Sequence, residues 1–109
     1  MTPEKKSSVL TALANHHVGQ QNGTSGEMLA LETRLLVREV RHAVTALRED
    51  GLGVCAHPSK GYFLAETDAE LDEFCIEFLK HRAMHSLKLI AILKRSALLD
   101  LIGQLKLEN

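Results

Sequence analysis

Residues 24–64 read TSGEMLALETRLLVREVRHAVTALREDGLGVCAHPSKGYFL, and the fold class is decided there. At the centre stands VREVRHAVTALRED, from Val37 to Asp50. At 100° per residue, Val37, Val40, Ala43, Val44 and Leu47 gather on one side of a helix. Arg38, Arg41, His42 and Thr45 gather on the other, with Glu49 at its far end. The inner side is small and branched, as a packed helix requires. The outer side carries guanidiniums, an imidazole and a hydroxyl. Such a set suits the major groove of duplex DNA, where arginine reads guanine O6 and N7 together and threonine meets a base edge, a methyl group or a phosphate. The same spacing also describes the solvated face of an ordinary amphipathic helix, so the flanking segments carry the distinction.

Upstream, Thr24 is placed to cap a helix start, with Glu27 three residues on reaching back to the cap. A short helix from about Ser25 to Glu32 brings Met28, Leu29 and Leu31, and a turn from Thr33 to Leu36 leads into the arginine-bearing helix. Downstream, Gly51 stands where a left-handed helix closure belongs. Two short strands follow, Leu52 to Cys55 and Gly61 to Leu64, with His57-Pro58-Ser59-Lys60 as the turn. Tyr62 and Phe63 point to opposite faces of their strand, one of them inward. Ahead of all this, residues 1–6 form a polar lead. A first helix from about Ser7 to His17 turns Val9, Leu10, Leu13 and Ala14 inward. The order is helix, helix, turn, helix, hairpin.

That order, and the run AVTALREDG…PSKGYFL, resembles the winged helix-turn-helix DNA-binding domains of the biotin-repressor type. The similarity spans residues 7 to 65. It implies that the helix at 37–50 is a recognition helix and that residues 52–64 are the wing. It also implies that Lys60, at the wing tip, meets a backbone phosphate or the minor groove. Where that family usually places a Ser or Thr cap ahead of the recognition helix, this chain reads Glu32-Thr33-Arg34-Leu35-Leu36, and Thr33 is the candidate cap.

Composition bounds the reading. With 109 residues, 45% of them apolar, the chain buries one modest core. We expect a winged-helix domain at 1–66 and a helical oligomerisation segment at 67–109. No secretory leader and no long uncharged apolar run is visible, which points to a cytoplasmic protein with no membrane partner. Cys55 and Cys75 read as reduced thiols. Tryptophan is absent and aromatics are scarce, which argues against a stacking platform for single strands. Net charge argues against DNA. The chain carries −1, and residues 1–66 hold as many acids as bases, whereas nucleic-acid modules are usually basic. What remains is local excess, with Arg34, Arg38, Arg41 and Arg48 close together.

After Glu66 the sequence changes in kind. Thr67-Asp68-Ala69-Glu70 is a second capping box with acids in the first turn. From there to about Leu107 only Gly103 interrupts a helical pattern. Its apolar residues, among them Leu71, Phe74, Phe78, Leu89, Ile92, Leu93 and Leu99, exceed what one small domain covers, and uncovered apolar surface signals an interface. Pairing two copies there would set two recognition helices against a two-fold site.

Glu77, His81 and His85 share a helical face, but such spacing is equally that of polar side chains on a long helix, and no metal or other cofactor is expected. No glycine-rich phosphate loop, nucleophile elbow or paired catalytic carboxylates can be read, so neither an enzyme nor a small-molecule substrate is expected. The expectation is a mainly α fold with a small β-hairpin, used as a homodimeric transcription regulator on double-stranded DNA. Its size and domain economy suit a phage or prophage protein. The competing class is a winged-helix module for protein–protein assembly, in replication or packaging, without specific DNA readout.

Overall fold

The structure, a computed structural model, describes residues 1–95. Its elements run α1 (Pro3–His16), a short 3₁₀ turn, α2 (Gly26–Thr33), α3 (Val37–Glu49), β1 (Val54–His57), β2 (Gly61–Leu64), α4 (Asp68–Leu71), a π-turn (Asp72–Ile76) and α5 (Glu77–Arg95). The described chain is therefore mainly α-helical with one antiparallel hairpin and a long C-terminal helix, as the sequence led us to expect. Two compact units are present, one spanning Met1–Phe78 and the other beginning at Leu79.

In the first unit, α1, α2 and α3 bury Val9, Leu13, Leu29, Val40, Val44 and Leu47 against one another and against Val54. The inward face read for the central helix holds throughout. On α1 the buried alanine is Ala12, and Ala14 is exposed, because Val9, Ala12 and Leu13 make the i, i+3, i+4 stripe.

α1 also begins earlier than expected. Pro3 occupies its first turn, where a missing N–H costs nothing, and the Thr2 hydroxyl accepts from the Lys5 N–H at 3.3 Å. Lys5 and Lys6 are therefore helical rather than a loose polar lead. Lys5 pairs with Glu39, and the Lys6 ammonium lies 2.7 Å from Asp50, both at the ends of α3.

Two caps differ from the sequence reading. The cap of α2 is Ser25, whose hydroxyl accepts from the Met28 N–H at 3.1 Å. Thr24 is drawn instead into an extended bridge with Tyr62, donating to its carbonyl at 3.0 Å and accepting from its N–H at 2.7 Å. Its β-branched side chain favours that extended state. Thr33 closes α2, its hydroxyl donating to the Leu29 carbonyl at 2.7 Å. The start of α3 is served from inside by Glu39, which accepts from the Leu36 N–H at 3.0 Å.

Both α2 and α3 end in the same closure. After α3, Gly51 (φ 87°) donates to Arg48 and Leu52 donates back to Leu47. After α2, the left-handed position falls to Arg34 (φ 59°), with Arg34 donating to Leu31 and Leu35 to Ala30. The Cβ of an L-residue crowds the following carbonyl there at a cost of about 1–2 kcal/mol, which glycine escapes. Part of that gain is returned to the unfolded chain. Arg34→Gly is thus expected to raise stability by about 0.5–1 kcal/mol, read as a higher urea midpoint at unchanged slope.

The strands pair Val54 with Leu64 and His57 with Gly61, so His57 belongs to β1 and the turn is Pro58-Ser59-Lys60. The hairpin is covered on both faces. Val54, Tyr62 and Leu64 face the helices, while Cys55 and Phe63 face the other way. There they meet Phe74 and Cys75, which the π-turn presents inward. The Phe63 and Phe74 rings pack edge-on at 5.7 Å. This second small core explains why the first unit extends to Phe78, past the boundary at Glu66 expected from composition.

Thr67 caps α4, accepting from the Glu70 N–H at 3.2 Å. The Glu70 carboxylate accepts from the N–H groups of Glu66 (2.8 Å) and Gln20 (3.0 Å), tying this segment to the loop after α1. Those two amides hold the Glu70 carboxyl below the usual carboxylate range. Lys5 and the Leu36 amide do the same for Glu39. A depressed carboxyl contributes stability above its unfolded pKa and loses it as pH falls through the folded value. Melting temperature is therefore expected to drop on acidification below about pH 4, the ordinary carboxylate range. In Glu70→Gln the drop should be shallower. An acid limb identical to that of the parent chain would refute the linkage.

Candidate nucleic-acid interface

The side chains picked out on α3 stand where the sequence placed them. Arg38, Arg41, His42 and Thr45 are exposed, because Val40, Ala43, Val44 and Leu47 hold the opposite side of the helix at 0–3% exposure. The Thr45 hydroxyl donates to the Arg41 carbonyl at 3.2 Å, which leaves its methyl group and lone pairs outward. Glu49 closes the row and is also exposed.

Two of the acids at this helix lie off the row. Glu39 and the capping Asp50 turn to α1 and are matched there by Lys5 and Lys6. Among the described residues, no carboxylate forms an ion pair with Arg38 or Arg41. The balance of acids and bases in the sequence is therefore not a balance at each surface. Arg48, counted in the local excess, is spent on architecture. Its Nε donates to the Val54 carbonyl at 2.8 Å and fastens α3 to β1.

Arg34 and Lys60 lie on other elements. Arg34 is exposed at the left-handed closure of α2, two residues before the Leu36 cap of α3. Lys60 is exposed in the hairpin turn. That turn is held by the His57 ring, whose Nδ1 accepts from the Ser59 N–H at 3.2 Å, and by close approach to the loop ahead of α2. A Cβ on Gly23 would fall 1.8 Å from the Lys60 carbonyl oxygen. The structure thus gathers four of the candidate contacts on one helix face and holds the other two at the α2 closure and the hairpin turn of the same compact unit.

The residues expected at a dimer interface divide three ways. Phe74 is 7% exposed and belongs to the chain's own second core, not to a partner, a correction caused by the uncovered side of the hairpin. Leu71 is half-buried against the same cluster, and the half-buried Phe78 ring lies 5.7 Å from that of His57. Leu89, Ile92 and Leu93, by contrast, are 45–69% exposed, and every described residue from Leu79 to Arg95 is exposed. Leu99 lies outside the described residues.

One surface went unread in the sequence. Met28, Leu31 and Leu36 are exposed. The signal was present in the helical period, since Leu29 and Ala30 take the inner side of α2 and Leu31 must then leave it.

Cys55 and Cys75 are free and buried. Burial, together with the neighbouring Cys75, pushes the Cys55 thiol up to about 12, so it stays protonated and unreactive at neutral pH. Among the described residues no three His, Cys, Asp or Glu side chains gather to hold a metal ion, Glu77, His81 and His85 included. No described helix is long and apolar enough to cross a membrane. Compared with family models, curated proteins and solved structures, the chain matches none.

Proposed function

We propose that this chain is a cytoplasmic transcription regulator that binds double-stranded DNA sequence-specifically as a homodimer. In this reading α1 to α3 form a winged helix-turn-helix, α3 enters the major groove, and the β1–β2 hairpin is the wing. The observation that carries it is the outer row of α3. Arg38, Arg41, His42 and Thr45 stand exposed, with Glu49 at the end of the row, while Glu39 and the capping Asp50 are matched by lysines of α1. Arginine and imidazole donors with no hydrogen-bond partner among the described residues are what base-edge readout needs. Arg34 and Lys60 would add phosphate contacts on either side, positioning the helix without reading sequence. The homodimer rests on α5, whose exposed Leu89, Ile92 and Leu93 need cover.

The test is titration of the full chain with random duplex DNA at several salt concentrations. Affinity falling steeply with salt, with a slope of about −0.9 per neutralised phosphate, supports the reading. Exposed Met28 and Leu31 favour a second reading, an assembly module that binds protein and not DNA. Salt-insensitive or absent DNA binding would select it.

A further inference from the structure

α2 turns Leu29 and Ala30 into the core at 0% and 7% exposure, which forces the next residue outward. Leu31 is 74% exposed, Met28 beside it 59%. Next to them lies a hollow of about 400 Å³ lined by His17, Thr24, Met28, Leu31 and Glu32. Its wall is held in place, for the His17 ring lies 3.0 Å from the Glu32 carboxylate and 2.8 Å from the Asn22 carbonyl. A protruding leucine and a hollow thus sit side by side on one surface.

The charges on that surface have an order. Glu27 and Leu31 stand at i and i+4 on α2, with the acid in its first turn, and Arg34 stands at its left-handed closure at the other end. Neither Glu27 nor Arg34 has an ion-pair partner among the described residues. DNA is a poor occupant, because Glu27 and Glu32 would face phosphates. A surface with a knob beside its own hollow, and an acid and a base at opposite ends, is complementary to itself. Turned about a two-fold axis, it sets the knob against the hollow and the acid end against the basic end.

We propose that this face pairs with the same face of a second copy. The two α2 helices lie antiparallel, each Leu31 seats in the partner's hollow, and each Glu27 faces the partner's Arg34. An eight-residue helix offers a small patch, well under the roughly 800 Å² per partner of a standard interface, so the contact is a weak one. It is separate from pairing through α5; where it forms, Arg34 faces the partner's Glu27 in place of a phosphate, which leaves the α3 row and Lys60 to DNA.

Disulfide cross-linking of the full chain tests it. Leu31→Cys is treated with copper phenanthroline as oxidant, and covalent dimer is followed on non-reducing gels beside Ser59→Cys, an exposed control in the hairpin turn. The buried Cys55 and Cys75 leave little background, which the parent chain measures. Leu31→Cys should cross-link roughly tenfold faster than the control, since the axis brings the two thiols together at high effective concentration. Adding Glu27→Arg should slow it roughly tenfold by opposing like charges twice over, and adding Arg34→Glu to that variant should restore the rate. Cross-linking no faster than at Ser59→Cys overturns the proposal, and so does a double reversal that stays slow.

Discussion

Replacing Arg38 and Arg41 together by alanine is expected to weaken duplex binding by the full chain roughly thirty-fold or more. Each arginine that grips a base edge in bidentate fashion contributes about 1–3 kcal/mol, and 1.4 kcal/mol is a factor of ten. The fold should be indifferent. Both side chains are exposed and carry no ion pair to a described residue, so stability should stay within about 0.5 kcal/mol. Salt dependence then separates two roles. If the arginines read bases, the salt slope persists and sequence preference relaxes. If they meet phosphates, the slope falls by about one for each and all sequences weaken alike. Unchanged affinity in a folded double variant would remove the recognition helix from the account.

The second large effect is on stability. Gly61→Ala is expected to cost about 3 kcal/mol, a large share of the roughly 5–15 kcal/mol that holds a domain together. Gly61 has φ 78°, and a Cβ there would lie 2.3 Å from the Thr24 carbonyl oxygen. That oxygen cannot swing aside as a side chain would. It accepts from the Tyr62 N–H, and the Thr24 N–H donates back to Tyr62. Relieving the clash therefore parts the loop from the hairpin. About 1–2 kcal/mol is left-handed strain, and two backbone hydrogen bonds contribute about 1 kcal/mol each. Gly51→Ala is the matched control. It has φ 87° but nothing within 4 Å of its Cβ, so only the strain should appear. In urea denaturation the midpoint should fall by roughly 1–3 M for Gly61→Ala and by roughly half of that for Gly51→Ala. Equal losses would mean that the close approach to Thr24 carries no energy.

Periodicity and punctuation made much of the helical core legible in advance. The 3.6-residue pattern of Val37 to Leu47 announced both faces of α3, and Gly51 announced its closure, because both are local properties of the backbone. The caps were harder. Thr24 and Ser25 are equally able to cap α2, and the choice fell to Ser25 only because Tyr62, far along the chain, claims the Thr24 backbone. Thr33 had the right chemistry to open α3, yet Glu39 serves from within the helix.

The candidate interface was legible as a row but not as an electrostatic surface. Counting charges over residues 1–66 suggests neutrality. Only the packing of α1 on α3 shows that Glu39 and Asp50 are matched by lysines and that Arg48 is turned inward to Val54. The same limit misled the reading of the C-terminal segment. A helix rich in Leu and Phe looks alike whether its cover is a partner or its own hairpin. Phe74 proved to be the latter because Phe63 and Cys55 needed cover on the second face of β1 and β2.

By itself, then, the sequence determined the order of helices and hairpin, the inward side of α3, and the outward position of Arg38, Arg41, His42 and Thr45. Each follows from spacing along a regular backbone. Tertiary structure alone decided which acids are matched, where the compact unit ends, and that Phe74 is covered by the chain's own hairpin. Those depend on contacts between residues distant in the chain, and no local pattern encodes which of several suitable partners a side chain will meet.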